Sequence, residues 1–234
     1  MMRRVNVELG ARSYTITIGS GTAEELAGFV RGAGYSPRGM IVTDTNVGPL
    51  CAAQTAECIA SAGIRAEIVE IPAGEQSKSL DMANDLFTRA TELSLDRKSP
   101  IFALGGGVVG DLAGFVAAAY MRGVPFVQLP TTLLAQVDSS VGGKVAVNHP
   151  LGKNLIGAFY QPDAVFMDLD LLRTLPPREI ASGLGEIIKY GIIYDADFFD
   201  WLEVHAADAR ALAPAAAAHM TARSCAIKAD VVRQ

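Results

Sequence analysis

Pro100-Ile101-Phe102-Ala103-Leu104-Gly105-Gly106-Gly107-Val108-Val109-Gly110-Asp111 decides the fold. A short apolar run of strand length enters a glycine cluster, and a helix is expected from Asp111 onward. Gly105, Gly107 and Gly110 fit the spacing G-x-G-x-x-G, where absent side chains let the backbone approach a diphosphate at a helix N-terminus. The same glycines also suit a plain turn. The acid expected about 20 residues further on is missing, because the next strand ends in Pro130-Thr131-Thr132. Asp44, closing an earlier strand, could hold a ribose hydroxyl or the adenine instead, or simply cap a helix.

Outward from this stretch the chain alternates strand and helix. Upstream lie the strand Met40–Thr43, a helix from about Pro49 to Ala62 ended by Gly63, and the strand Ala66–Ile71. The loop Ala73–Lys78 and a helix through Leu93 follow, and Phe126–Leu129 is the next strand. Before them, Val5, Val7 and Leu9 alternate with polar residues, as do Tyr14, Ile16 and Ile18 beyond Gly10-Ala11-Arg12, which predicts a β-hairpin. Cys51 and Cys58 are seven apart and share the buried face of their helix. The expected class is α/β, a Rossmann-like, mostly parallel sheet with flanking helices. After Asp170 the character turns helical, with Pro214 breaking an alanine-rich stretch from Ala206 to Ala218. The division expected is an α/β domain over 1–173 and the start of an all-helical second domain over 174–234.

Composition narrows the function. The 234 residues carry 20 basic and 25 acidic side chains, a net charge of −5, so no basic excess exists to neutralise nucleic-acid phosphates or an anionic membrane. Half the residues are hydrophobic, which excludes a disordered chain. The most membrane-like window, Ile101–Tyr120, carries Asp111 near its middle, a charge costing about 2.5–3.5 kcal/mol at a helix centre. Three scattered cysteines without CxxC spacing suit a reduced, cytoplasmic protein, and the N-terminus lacks the apolar segment of a signal peptide.

Lysine usage is more telling. Only six lysines stand beside 14 arginines, and two of them, Lys144 and Lys153, lie in Gly-, Ser- and Asn-rich segments that read as loops. Ammonium groups there suit phosphate or carboxylate oxygens, or are ordinary solvated side chains. Glu186 and Lys189, three apart in Gly183–Gly191, share one helix face, which a structural ion pair also explains. Three glycines in those nine residues cost up to about 1 kcal/mol each against alanine, so a close approach to a ligand or another backbone should compensate. The three histidines show no ligand spacing.

Taken in order, Asp44-Thr45-Asn46, Gly74–Lys78, Gly105–Phe115, Pro130–Pro162 and Thr174–Ile193 resemble the 3-dehydroquinate synthases of the sugar-phosphate cyclase superfamily. The resemblance implies conversion of 3-deoxy-D-arabino-heptulosonate 7-phosphate to 3-dehydroquinate and phosphate in the shikimate pathway. NAD would act as a recycled hydride acceptor, and a divalent metal, zinc or cobalt, as a Lewis acid. By motif, Asp44, Asn46, Glu75 and Lys78 hold the adenosine end. Gly107, Val108 and Asp111 cradle the diphosphate and adjoining ribose, with Thr131, Thr132 and Thr174 nearby. Lys144, Lys153 and Asn154 meet the nicotinamide side and substrate anions, and Asp138 the substrate hydroxyls. Glu186 matches the metal-binding glutamate, and Lys189 and Lys228 match substrate lysines. Arg122 matches an arginine reaching the neighbouring subunit's phosphate, which implies a homodimer.

One departure is large. The family pattern continues with an arginine, an asparagine and histidines that complete the metal site, whereas this chain stops at Val231-Val232-Arg233-Gln234. The expectation is a C-terminally truncated member, either a fragment or a shortened gene product, inactive on its own. The alternatives are another sugar-phosphate cyclase, a glycerol-dehydrogenase-like oxidoreductase, and a non-catalytic NAD-binding module.

Overall fold

The computed structural model describes residues 2–233. Its centre is the strand that opens the glycine cluster, β5 (Ile101–Gly105), every residue of which is buried. Around it run β1 (Arg3–Val7), β2 (Tyr14–Gly19), β3 (Arg38–Asp44), β4 (Arg65–Ile71), β6 (Phe126–Pro130) and, after the hairpin β7 (Lys144–His149) and β8 (Gly152–Phe159), β9 (Ala164–Asp168). The seven-stranded sheet has the order β1-β2-β9-β6-β5-β3-β4; β1 pairs antiparallel with β2, and the remaining pairs are parallel.

Helices cover both faces, as parallel strands buried on two sides require. α1 (Ala23–Gly32) and α2 (Ala53–Ser61) pack with Ile41, Phe102, Leu104 and Phe166 on one face. α3 (Leu80–Glu92) and α4 (Gly107–Ala119) pack with Met40, Ile101 and Ala103 on the other. The helices α5 (Pro177–Tyr194), α6 (Ala196–Val204), α7 (Ala206–Arg210) and α8 (Pro214–Arg233) share a core with Ile16, Ile18, Val165 and Met167. Pro214 opens α8, the one helical position where its missing N–H costs nothing.

Several elements differ from the sequence expectation. α4 begins at Gly107, not Asp111, because Gly106 is extended and its carbonyl accepts the Gly110 N–H at 3.0 Å. The glycines are therefore the first turn of the helix. Lys144 and Lys153 stand on β7 and β8, not on loops: Val145 and Val147 are buried beneath the polar positions. Pairing runs from Lys144↔Phe159 to Val147↔Ile156. α1 and β9 have no counterpart in the sequence reading. The helix expected from Pro49 opens with a wide turn over Gly48–Ala52 before α2 proper. Cys51 and Cys225 are buried and Cys58 half-buried, all three free. No described helix is long and apolar enough to cross a membrane.

Candidate functional site

Strand order places the site. The connection leaving β3 runs outward to β4, whereas that leaving β5 runs the other way to β6. Between the carboxyl ends of such strands the connections diverge and leave a crevice. Asp44 ends β3 and Gly105 ends β5, and a cavity of about 680 Å³ opens between them. It is lined by Asp44, Asn46, Glu75 and Lys78 on one side and by Gly107, Val108 and Asp111 on the helix. Thr131, Thr132, Thr174, Asp138, Lys153 and Asn154 join them, whereas Lys144, expected beside Lys153, lies outside this cavity.

The glycine loop is a cradle in the physical sense. A Cβ on Gly107 would stand 3.2 Å from Ser139 Oγ, and one on Gly106 3.2 Å from Thr132 Cγ2. Among the described residues no side chain caps the N-terminus of α4, and Gly106, Gly107 and Val108 line the cavity, so the helix end there suits an anion. Thr131 Oγ1 is buried without a hydrogen-bond partner beside them. Asp44 does not cap a helix: it accepts from the N–H groups of Asn46 at 2.9 Å and Val47 at 3.0 Å in the turn before Gly48, where Val47 is the cap residue, and it also lines the cavity.

Lys78 is buried, an unusual place for an ammonium group, and it forms an ion pair with Asp111. It also donates to Asn154 Oδ1 at 2.5 Å. Burial pushes the Asp111 carboxyl above its ordinary range, and the Lys78 ammonium pulls it partly back. Glu75 accepts from Asn148 Nδ2 at 2.8 Å, and the Lys153 ammonium lies 3.8 Å from the same oxygen.

A second cavity of about 420 Å³ adjoins the first through Asp111, Asp138 and Asn154, and adds Lys144 and Lys228. Asp138 Oδ1 pairs with the Lys228 ammonium and accepts from the Tyr190 hydroxyl at 3.1 Å. Burial, then the Asp138 and Glu186 charges, raise the Tyr190 hydroxyl far above its ordinary value, so it stays a proton donor. Lys189 lines a neighbouring groove with Lys144 and Lys228, and its ammonium pairs with Glu186. Glu186 offers one carboxylate, and among the described residues no group of three or more His, Cys, Asp or Glu could hold a metal ion. These residues alone do not fit a metal. His205 stacks on Trp201 and His219 packs against it at a tilt, and His149 Nδ1 accepts from the Leu151 N–H within its turn.

Arg122 lies apart. It sits exposed in the tight turn after α4 with φ +68° and lines none of these cavities. The glycines of α5 are explained by neighbours: a Cβ on Gly183 would stand 2.5 Å from Leu133 Cγ, and one on Gly191 3.0 Å from Phe199 Cβ. Gly185 has open space. Sequence reasoning misses Asn148 and Tyr190, although both stand inside the segments that draw attention to Lys153 and Lys189. A larger open groove, about 1000 Å³, lies at the amino ends of β2 and β9 against α1, remote from all of these residues.

The comparisons agree with the geometry. The family model for the 3-dehydroquinate synthase N-terminal domain matches residues 68–182, and that for its C-terminal domain matches 183–234. The 3-dehydroquinate synthase of Desulforamulus reducens is 52% identical over 233 residues; the match covers 100% of this chain but 65% of that protein. A structure of 2-deoxy-scyllo-inosose synthase complexed with carbaglucose-6-phosphate, NAD+ and Co2+ superposes with a TM-score of 0.92 at 27% identity. It covers 99% of this chain and 63% of its own. The 2-epi-5-epi-valiolone synthase from Streptomyces hygroscopicus subsp. jinggangensis, with NAD+ and Zn2+ bound, has a TM-score of 0.83 at 29% identity, covering 94% of this chain and 60% of its own. Two consecutive models of one family, met in chain order around a crevice built from the residues that suggested it, leave one conclusion: the chain belongs to the 3-dehydroquinate synthase family.

Proposed function

We propose that this chain forms the cofactor crevice and part of the substrate site of a 3-dehydroquinate synthase, converting 3-deoxy-D-arabino-heptulosonate 7-phosphate to 3-dehydroquinate and phosphate. One observation carries the reading: of the residues expected to hold NAD, all but Lys144 line a single cavity at the β3/β5 crevice, and Lys144 lines the cavity that adjoins it. The unpartnered Thr131 hydroxyl is a feature a dinucleotide accounts for, and Gly106 and Gly107 stand too close to Thr132 and Ser139 to carry a side chain without narrowing the cavity those residues also line. NAD, when bound, supplies a reversible hydride acceptor for a substrate carbinol.

The chain's own residues have separate tasks. Asp44, Asn46 and Glu75 receive the adenosine end, and the α4 N-terminus at Gly107 and Val108 binds the diphosphate. Lys78 neutralises Asp111 and fixes the Asn154 side chain at the junction of the two cavities. Asp138 accepts substrate hydroxyls, while Lys144, Lys153, Lys189 and Lys228 balance substrate anions as point charges. Glu186 is the chain's contribution to a zinc or cobalt site. Arg122, free of the chain's own cavities, reaches the site of a second copy in a homodimer. The division into an α/β unit over 1–173 and a helical unit over 174–234, and a cytoplasmic location, belong to the same reading.

Calorimetry tests the crevice. The chain should bind NAD, and Gly107→Val should weaken binding at least about tenfold, the equivalent of about 1.4 kcal/mol. Equal affinity for both would place the cofactor elsewhere. With NAD and zinc added, the 234-residue chain should release no phosphate from the heptulosonate phosphate. A turnover within the ordinary range of about 1–10³ per second would overturn the metal assignment.

A further inference from the structure

We infer that Asn148 is the positioning residue that aligns the two walls of the cavity, holding Glu75 on the adenosine side and Asn154 on the substrate side. The inference rests on the dinucleotide reading given above. Asn148 stands near the end of β7, half-buried, and does not itself line the cavity. Its Nδ2 donates to Glu75 Oε1 at 2.8 Å, and its Oδ1 accepts the Asn154 N–H at 3.0 Å. Its own N–H donates to the Lys78 carbonyl at 2.9 Å, and it forms a parallel bridge with Ser79.

The chemistry fixes which way the amide points. An ionised carboxylate only accepts and a backbone N–H only donates, so one end must be the NH₂ and the other the oxygen. No other neutral side chain of this length offers both. Asn154 adds the reason for the second bond. Its φ of +57° lies in the left-handed region, which asparagine adopts more readily than other non-glycine residues and which the bond to Asn148 helps to hold. That conformation brings its side chain to Lys78 Nζ at 2.5 Å, and Lys78 in turn pairs with Asp111 at the cofactor helix. One amide therefore ties the loop Ala73–Lys78, the hairpin turn and α4 into a single arrangement.

The test is NAD affinity by calorimetry on the 234-residue chain, with thermal melting recorded for each variant. Asn148→Asp keeps an oxygen for the Asn154 N–H but sets a second carboxylate against Glu75, so Kd should rise about tenfold. Glu75→Gln alone should also weaken binding, because Asn148 would take the amide oxygen and leave an NH₂ toward the ligand. Together, Asn148→Asp and Glu75→Gln reverse the polarity of the pair. The amide now on the loop donates to the carboxylate now on β7 and returns its own oxygen to the cavity. The double variant should therefore bind NAD more tightly than either single variant, a result a merely structural role would not give. Should Asn148→Asp melt below the assay temperature, Asn148→Ala replaces it, with an expected rise of about threefold in Kd. An Asn148 variant that binds like the unmodified chain, or a double variant whose loss is the product of the two single losses, would overturn the inference alone. Failure of the unmodified chain to bind NAD would overturn the dinucleotide reading and this one with it.

Discussion

Lys78 and Asp111 illustrate what a single residue does here and how it can be tested. The two side chains are 6% and 19% exposed, so each is costly to leave charged without the other. Lys78→Met keeps the stem packing and removes the ammonium, and should cost about 3–5 kcal/mol at neutral pH, the range for breaking a buried pair. Its pH dependence has a definite sign. Asp111 is held above its ordinary 3.8 in the folded state, so the folded chain binds its proton more readily than the unfolded one. The variant removes the group that opposed this shift. Its deficit in urea unfolding should therefore be largest at pH 7 and shrink as the pH falls through the raised value. A deficit independent of pH would mean that Lys78 acts by packing alone. At this scale the sequence is informative about chemistry but not about partners. Asp44, Glu75, Lys78 and Asn154 stand out in it, yet nothing in their order reveals that Lys78 joins Asp111 across 33 residues or that Asn148 holds Glu75 across 73. Such partners are set by tertiary register, which a linear pattern does not encode.

Elements are legible where their periodicity is strong. β3 to β6 and the first hairpin follow from apolar runs and turn residues. The β7/β8 hairpin reads as loop because its glycines, asparagines and lysines outnumber its alternating Val145, Val147 and Ile156. Burial of Val145 and Val147, with Ile156 partly buried beside them, overrides the local composition. α4 itself shows how close that packing is. A Cβ on Gly114 would stand 2.4 Å from Val145 Cγ1 and 3.0 Å from the Phe126 ring. Gly114→Ala should destabilise the chain by about 1–2 kcal/mol, since overpacking of about 1–3 kcal/mol exceeds the helix gain of up to about 1 kcal/mol. Gly185→Ala on α5, with open space around it, should stabilise by about 0.4–1 kcal/mol. Denaturant midpoints read both, and equal signs would refute the packing argument. Between α6 and α8, His219 lies against Trp201 with ring centroids 4.2 Å apart. Burial first, then Arg3 and Arg223, hold its imidazole below its ordinary 6.5. A base depressed in the folded state contributes stability above the unfolded value that is lost as the pH falls. His219→Gln should flatten the decline in melting temperature from about pH 7 to about pH 5; an unchanged slope would assign that decline to carboxylates.

The whole molecule is a doubly wound sheet whose strand order creates one crevice, with a helical layer on the β1/β2/β9 end. The chain spans 65% of the length of the D. reducens relative it matches. Its surface carries large apolar side chains that a polar solvent does not favour: Ile192 and Ile193 are each 67% exposed, Phe159 74% and Val204 80%. The purified chain should bind a hydrophobic dye and self-associate above micromolar concentration, and sedimentation as a dye-silent monomer would contradict this. The α/β class is legible in the sequence, because strand alternation and glycine punctuation are local signals, whereas the set of crevice residues follows from the family resemblance. The proposed function places a dinucleotide in the β3/β5 crevice with its diphosphate on the α4 N-terminus. Backbone amide NMR of the 24.6 kDa chain during an NAD titration tests it most directly. The amides of Gly106, Gly107 and Val108 should shift most, with Glu75 and Thr131 following and Thr15, Gly28 and Arg31 unmoved. Shifts concentrated on those last three would place the dinucleotide in the groove at the amino ends of β2 and β9 instead.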